Sequence, residues 1–266
     1  MYSNGGFMNK NQFIELIKEE IKRLNEGLYD KGIFKAVFLA GGPGSGKSYV
    51  AKQLFGIPDK FNISIAGLKI VNQDKEFKYL LKKYGFDPSL LAFYEKETPD
   101  LFKQLTAKDD SVRSFAKDLN KARMKGYMQG KLGMIIDGTG HNYGKIKVKK
   151  EMLEKEGYDT YMVFVNTSLE VAQQRNKERD RVLPEKIVKD SWEDVQKNLG
   201  AFQALFKNNF VIVDNSKFLK PKDAEKKFGE LSKKHALKFA SSPLKNPIAK
   251  RWVKDQEKLR KAGIKK

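Results

Sequence analysis

Eight residues, Gly41-Gly42-Pro43-Gly44-Ser45-Gly46-Lys47-Ser48, carry the spacing G-x4-G-K-S and follow directly on the apolar run 33–40. Glycines at these positions let successive backbone N–H groups turn inward around a phosphate. Lys47 reaches the β- and γ-phosphates, and the Ser48 hydroxyl is placed to ligate Mg²⁺. The stretch that follows, opening on Tyr49, reads as a helix whose positive N-terminal end faces the same phosphates. A strand, a glycine-rich loop and a helix in this order predict a nucleoside triphosphate site made by residues 41–49, with Mg²⁺ beside the phosphates.

Ligands collect at the carboxyl ends of the strands in open α/β sheets, so polar residues that close strand-like runs are the next candidates. Asp74 follows Val71-Asn72-Gln73, where a carboxylate can accept the proton of an attacking hydroxyl; the same residue before Lys75-Glu76-Phe77 also suits a helix N-cap. Asp137 ends Ile135-Ile136-Asp137-Gly138-Thr139-Gly140, a placement for orienting a metal-bound water or holding the acceptor together with Thr139. Asp214, before Asn215-Ser216, reads as a turn former. Beyond Thr167-Ser168-Leu169-Glu170, which has capping-box spacing, Arg175 and Arg179 stand four apart on one helical face, with Arg181 two further on. Guanidiniums there suit triphosphate oxygens and the charge that develops during transfer.

The elements that position these residues alternate between strand-like and helical patterns, as in a parallel sheet covered on both faces. Strands are expected at 33–40, 68–72, 132–137, 161–165 and 210–214. An amphipathic helix over 9–28 is expected to pack on the core as an N-terminal segment, 1–30. A P-loop core domain would span 31–237, with a helical, substrate-side insertion at about 76–130 broken near Gly85-Phe86-Asp87-Pro88 and Thr98-Pro99-Asp100. The remainder, 238–266, forms a basic tail with ten Lys/Arg and two acidic residues.

Composition narrows the classes. The 266 residues contain no cysteine and two histidines, which excludes disulfides and argues against a Cys/His metal site. No apolar run is long enough for a membrane span, and the expectation is a soluble, cytoplasmic protein. The formal charge of +20, from 53 basic and 33 acidic side chains, attracts polyanions but is equally the charge of a lysine-rich solvated surface.

The segments 41–48, 71–74, 135–142, 174–184 and 195–199, in this order, resemble the P-loop kinases of the phage polynucleotide-kinase and zeta-toxin group over residues 33–214. The resemblance implies a P-loop NTPase fold of the nucleotide-kinase type, with a five-stranded parallel sheet in the order 2-3-1-4-5, an ATP–Mg²⁺ phosphotransferase and a hydroxyl acceptor. It places Lys47 and Ser48 at the phosphate and metal positions and Asp74 at the general base. Arg179, with Arg175 or Arg181, falls at the lid, and Asp137 at the acid before Gly-Thr, where zeta toxins commonly carry Glu. Phe77 stands where polynucleotide kinases usually carry a basic residue. The expected acceptor is the 5′-hydroxyl of a nucleic acid, reached through the basic surface. The alternatives are a UDP-amino sugar, or a nucleic-acid-binding NTPase that phosphorylates no acceptor.

Overall fold

The computed structural model describes residues 27–58, 62–178 and 182–263. The expected N-terminal helix, apart from its last two residues, and the candidate lid residues Arg179 and Arg181 lie outside them. The described residues gather into two compact bodies. One holds 71–130 and Val182; the other holds 27–58, 62–70, 131–178 and 183–263.

The larger body is built on a five-stranded sheet of β1 (Lys35–Ala40), β2 (Lys69–Val71), β3 (Met134–Asp137), β4 (Asp159–Asn166) and β5 (Phe210–Asp214), ordered β2-β3-β1-β4-β5. β1 pairs in parallel with both β3 and β4, and β4 with β5. A central parallel strand is covered on both faces, which is why β1 reads as an unbroken apolar run after Lys35 and is buried throughout. Val37, Leu39, Val163 and Val165 face a core closed by α1 (Lys47–Phe55) through Val50 and Leu54. On the other face Phe38 meets Phe206 edge-on, and Phe164 packs on Phe202.

The smaller body is helical: α2 (Gln73–Lys83), α3 (Leu91–Glu97), α4 (Pro99–Thr106) and α5 (Val112–Gln129). Gly85, at φ +81°, and Pro99 at the first turn of α4 supply the breaks between them. Phe77, Leu80 and Leu81 of α2 pack with Leu105, Ala116 and Leu119 as a core of their own. Glu76 is buried beside Arg123, 3.0 Å away, and burial pushes its carboxyl above the usual range in spite of that partner.

The larger body continues with α6 (Tyr143–Lys155), α7 (Leu169–Lys177), α8 (Glu185–Lys197), α9 (Leu199–Phe206) and α10 (Pro221–Leu231). A π-helical turn (Ser232–Leu237) and the short α11 (Lys238–Ser241) lead to α12 (Pro247–Lys261). The basic tail is docked. Backbone N–H groups of Lys245 and Asn246 donate to the Asp159 carboxylate at 2.9 Å each, and Trp252 meets Phe34 edge-on. Asp159 pairs in turn with Lys35 at 2.9 Å, the first residue of β1. The tail thus anchors at the amino-terminal edge of the sheet, whereas the glycine-rich loop leaves the carboxyl edge. The five rises between the six residues of β1, at about 3.3 Å each, separate the two by about 17 Å.

Candidate active site

The loop between β1 and α1 is held from several sides. The Gly41 N–H donates to the Thr139 carbonyl at 3.0 Å, and the Gly138 N–H to the Leu39 carbonyl at 3.2 Å, so the segment after β3 is laced to the loop. Asn215 Nδ2 donates to the Ser45 carbonyl at 2.8 Å, and the Asn215 carbonyl accepts from Arg175 Nη1 at 2.8 Å and from Thr167 Oγ1 at 3.3 Å. Trp192 Nε1 donates to the Thr167 carbonyl at 2.8 Å, and its backbone lies against Gly42. The glycines are demanded by this clasp. A Cβ on Gly44, at φ +74°, would lie 2.1 Å from the Ala172 carbonyl oxygen, and one on Gly46, at φ +77°, would lie 2.5 Å from Asn215 Nδ2.

The residues present fit a triphosphate. Gly46 caps α1 in a left-handed conformation, and no side chain caps that helix end, so its first N–H groups face into the loop. Ser45 Oγ is buried with no hydrogen-bond partner among the described residues. Lys47 Nζ donates to the Gly41 and Gly42 carbonyls at 2.7 and 3.3 Å, which holds the ammonium inside the loop it would serve. Asp137 pairs in register with Leu39, one strand over from the end of β1. Among the described residues no cluster of three or more His, Asp or Glu is arranged for a metal ion. Ser48 and Asp137 are the candidate residues for holding Mg²⁺ alongside phosphate oxygens.

Arg175 stacks on the Phe218 ring at 4.9 Å, with Nη1 3.7 Å from the point where a Gly46 Cβ would stand. Desolvation lowers its pKa, opposed by Glu178. Tyr49 is exposed at the start of α1, its ring edge-on to Phe228. The Thr139 hydroxyl is hydrogen-bonded to His141 Nδ1. Asp214 accepts from the Ser216 N–H and hydroxyl, the turn its sequence predicted, and the hydroxyl hydrogen bond is the main cause of its lowered carboxyl pKa.

In the smaller body the N-cap of α2 is Asn72, whose Oδ1 accepts from the N–H groups of Asp74 and Lys75. The capping alternative for Asp74 is therefore wrong: capping is done two residues earlier, and the Asp74 carboxylate is exposed in the first helical turn. Arg113 Nη2 lies 3.9 Å from it and stacks over the Phe77 ring at 5.4 Å.

Sequence reasoning passed over Asn215, Thr167, Trp192 and Arg113. Asn215 and Thr167 each stand directly past the end of a strand, a positional signal that was present. Trp192 and Arg113 lie inside helices and carried none.

The sheet order and the glycine-rich loop before α1 define an α/β fold of the P-loop type. The chain belongs to the AAA domain family, whose model (AAA_33) matches residues 37–202. Among solved structures it is similar to a chain of the PezAT chromosomal toxin–antitoxin system of Streptococcus pneumoniae. Identity there is 14% and the TM-score 0.51, over 86% of this chain and 95% of that one. It is also similar to a chain of the AvrRxo1-ORF1:AvrRxo1-ORF2 complex with sulphate ions, at 12% identity and TM-score 0.55, over 80% of this chain and 66% of that one. No curated protein matches the sequence. These likenesses carry the fold: an α/β domain whose parallel sheet is flanked by helices. Among the described residues no helix is long and apolar enough to cross a membrane.

Proposed function

We propose that the protein transfers the γ-phosphoryl group of ATP to a hydroxyl of a phosphate-bearing acceptor. The observation that carries this reading is the loop itself, where an uncapped helix N-terminus, the buried Ser45 hydroxyl and the Lys47 ammonium converge beside Asp137.

In this reading the loop N–H groups and Lys47 bind the β- and γ-phosphates and offset the charge that builds on them during transfer. Ser48 and Asp137 would hold Mg²⁺, which supplies neutralisation of the bridging oxygens. Arg175, fixed by Asn215 and Phe218, adds a cation on the Gly46 side of the loop, and Arg179 or Arg181 is the candidate lid. Asp74 accepts the proton of the acceptor hydroxyl as its oxygen bonds to phosphorus and the bond to ADP breaks. Thr139 and Asp137 take hydroxyls of the acceptor.

Two acceptors follow from the sequence, a nucleic-acid 5′ end and a sugar nucleotide. The docking of the tail at the far edge of the sheet favours the sugar nucleotide, because its basic helix is not where an acceptor strand would be fed to the loop. Labelled ATP offered with 5′-hydroxyl DNA and RNA, nucleosides and UDP-amino sugars tests this. Label on the UDP-amino sugar is expected. Label on oligonucleotide ends alone would reverse the order of the two acceptors, and hydrolysis with no labelled acceptor would overturn the kinase reading.

A further inference from the structure

The segment 137–142 and α6 enclose a cavity of about 160 Å³, roomy enough for several waters and hence for a phosphate group. It is lined by Phe38 and Ile136, by Asp137, Thr139 and His141, and by Lys145 and Lys149 of α6. The walls are built. Asn142 caps α6, its Oδ1 accepting from the Lys145 N–H at 2.9 Å. Asn198 Nδ2 grips the loop from the start of α9, donating to the Gly140 and His141 carbonyls at 3.1 and 2.9 Å. The Gly41 N–H bond to Thr139 ties the same loop to the phosphate site.

Lys145 and Lys149 stand one turn apart on one face of α6, where their like charges repel. The neighbouring Lys150 resolves its own partial burial with Glu154, at 2.7 Å. Lys149 is half-buried and has no ion pair or hydrogen bond among the described residues. Desolvation lowers its pKa and no carboxylate offsets that. A cation withdrawn from water beside a cavity is stabilised by an anion that enters it. Two separate ammonium groups present point charges around one centre, which suits a tetrahedral phosphate better than the planar fork a carboxylate favours.

We infer that this cavity binds a phosphate group of the acceptor between Lys145 and Lys149, leaving Asp137 and Thr139 to hold its hydroxyls. The inference rests on the kinase reading for the word acceptor; the cavity's affinity for phosphate does not depend on it. The cavity adjoins the loop through Thr139, so an acceptor anchored there is held by its phosphate at the edge of the transfer site.

Two measurements separate the claims. In the first, amine-reactive labelling of the full chain is followed by mass spectrometry with and without inorganic phosphate, on a Lys47→Ala background that weakens the phosphate loop. Labelling of Lys145 and Lys149 should slow by about threefold or more, with Lys177 as the reference. Equal slowing at all three, or none, overturns the inference. In the second, kcat/KM is compared for UDP-N-acetylglucosamine and N-acetylglucosamine, and for a nucleoside 3′-phosphate and its nucleoside. Lys149→Met and Lys145→Met should each cut the preference for the phosphate-bearing member by about tenfold through KM, and Lys149→Arg should restore most of it. An unchanged preference in both Met variants, folded as judged by thermal melting, overturns the inference while the kinase reading stands. Protection of Lys149 by phosphate with no transfer to any acceptor would sink the kinase reading and keep the cavity.

Discussion

Gly44→Ala tests the phosphate loop at its tightest point. The added Cβ would stand 2.1 Å from the Ala172 carbonyl oxygen and 2.8 Å from its carbon, and these are backbone atoms of α7 that no rotamer change can move. Clearing a 3.0 Å limit requires the loop and α7 to part by about 0.9 Å, the difference between the two distances. The φ of +74° adds left-handed strain of about 1–2 kcal/mol for a residue with a Cβ. A shift of about 1 Å at a transfer site costs on the order of 10²-fold in rate. We therefore expect ATP turnover to fall by about 10²-fold, with a melting temperature lowered by several degrees. Gly229→Ala is the control: nothing lies within 4 Å of its added methyl, and inside α10 it should stabilise by about 0.5–1 kcal/mol. Turnover is followed by a coupled ADP assay and stability by thermal denaturation. A Gly44→Ala protein with wild-type turnover and melting would refute the packing argument, because the clash it rests on would not exist.

Lys47→Ala should lower turnover by about 10²-fold or more with the fold intact; calorimetry showing wild-type Mg·ATP binding together with wild-type turnover would end the assignment of the loop. Asp74→Asn should abolish transfer while ATP affinity stays within a few-fold, whereas Arg175→Ala should harm hydrolysis and transfer alike, and full-rate transfer by Asp74→Asn would remove the base. Truncation before Pro243 should lower the melting temperature, since Asp159 loses two backbone donors and Phe34 its cover; a truncated protein as stable as the full chain would show that the docking contributes nothing. Lys149→Met should be more stable than the natural protein at pH 7. Burial lowers the lysine's folded pKa, so the native protein regains stability as pH rises towards the ordinary 10.5, and melting curves that stay parallel from pH 7 to 10 would contradict the cause given for the shift.

The sheet was legible because parallel strands buried on both faces leave continuous apolar runs. All five expected strands are present, with boundaries moved by no more than two residues, and their order is the one the resemblance implied. The breaks at Gly85 and Pro99 were legible for a related reason, since one supplies a left-handed turn and the other cannot continue a helix. The clasp around the loop was less so. Asn215 holds the Ser45 carbonyl across 170 residues of chain, and no local pattern encodes a hydrogen bond of that separation. Asp74 shows the same limit at short range. Asn, Asp and Ser are interchangeable as caps in sequence, and only the backbone decides that Asn72 takes the role.

The two edges of the sheet divide the work. At the amino-terminal edge the charges are buried and answered: Lys35 by Asp159, and Lys69 by Asp30, which also accepts from the Gly32 and Gly133 N–H groups. Such pairs add little net stability, but removing either partner strands a buried charge at a cost of about 3–5 kcal/mol, so they fix which residues start which strands. Toward the carboxyl edge Ser45 Oγ is buried, and Lys149 half-buried, with no hydrogen-bond or ion-pair partner among the described residues. Ser45 lies in the loop that leaves β1 and Lys149 lines the cavity beside the segment that leaves β3, and both would be answered by phosphate oxygens. An edge that satisfies every charge holds the fold, and an edge that leaves donors waiting holds the ligand. By that criterion the tail belongs to the first edge, and the exposed basic residues Lys250, Arg251, Lys254, Lys258, Arg260 and Lys261 describe a docked helix with a solvated face rather than an arm of the transfer site.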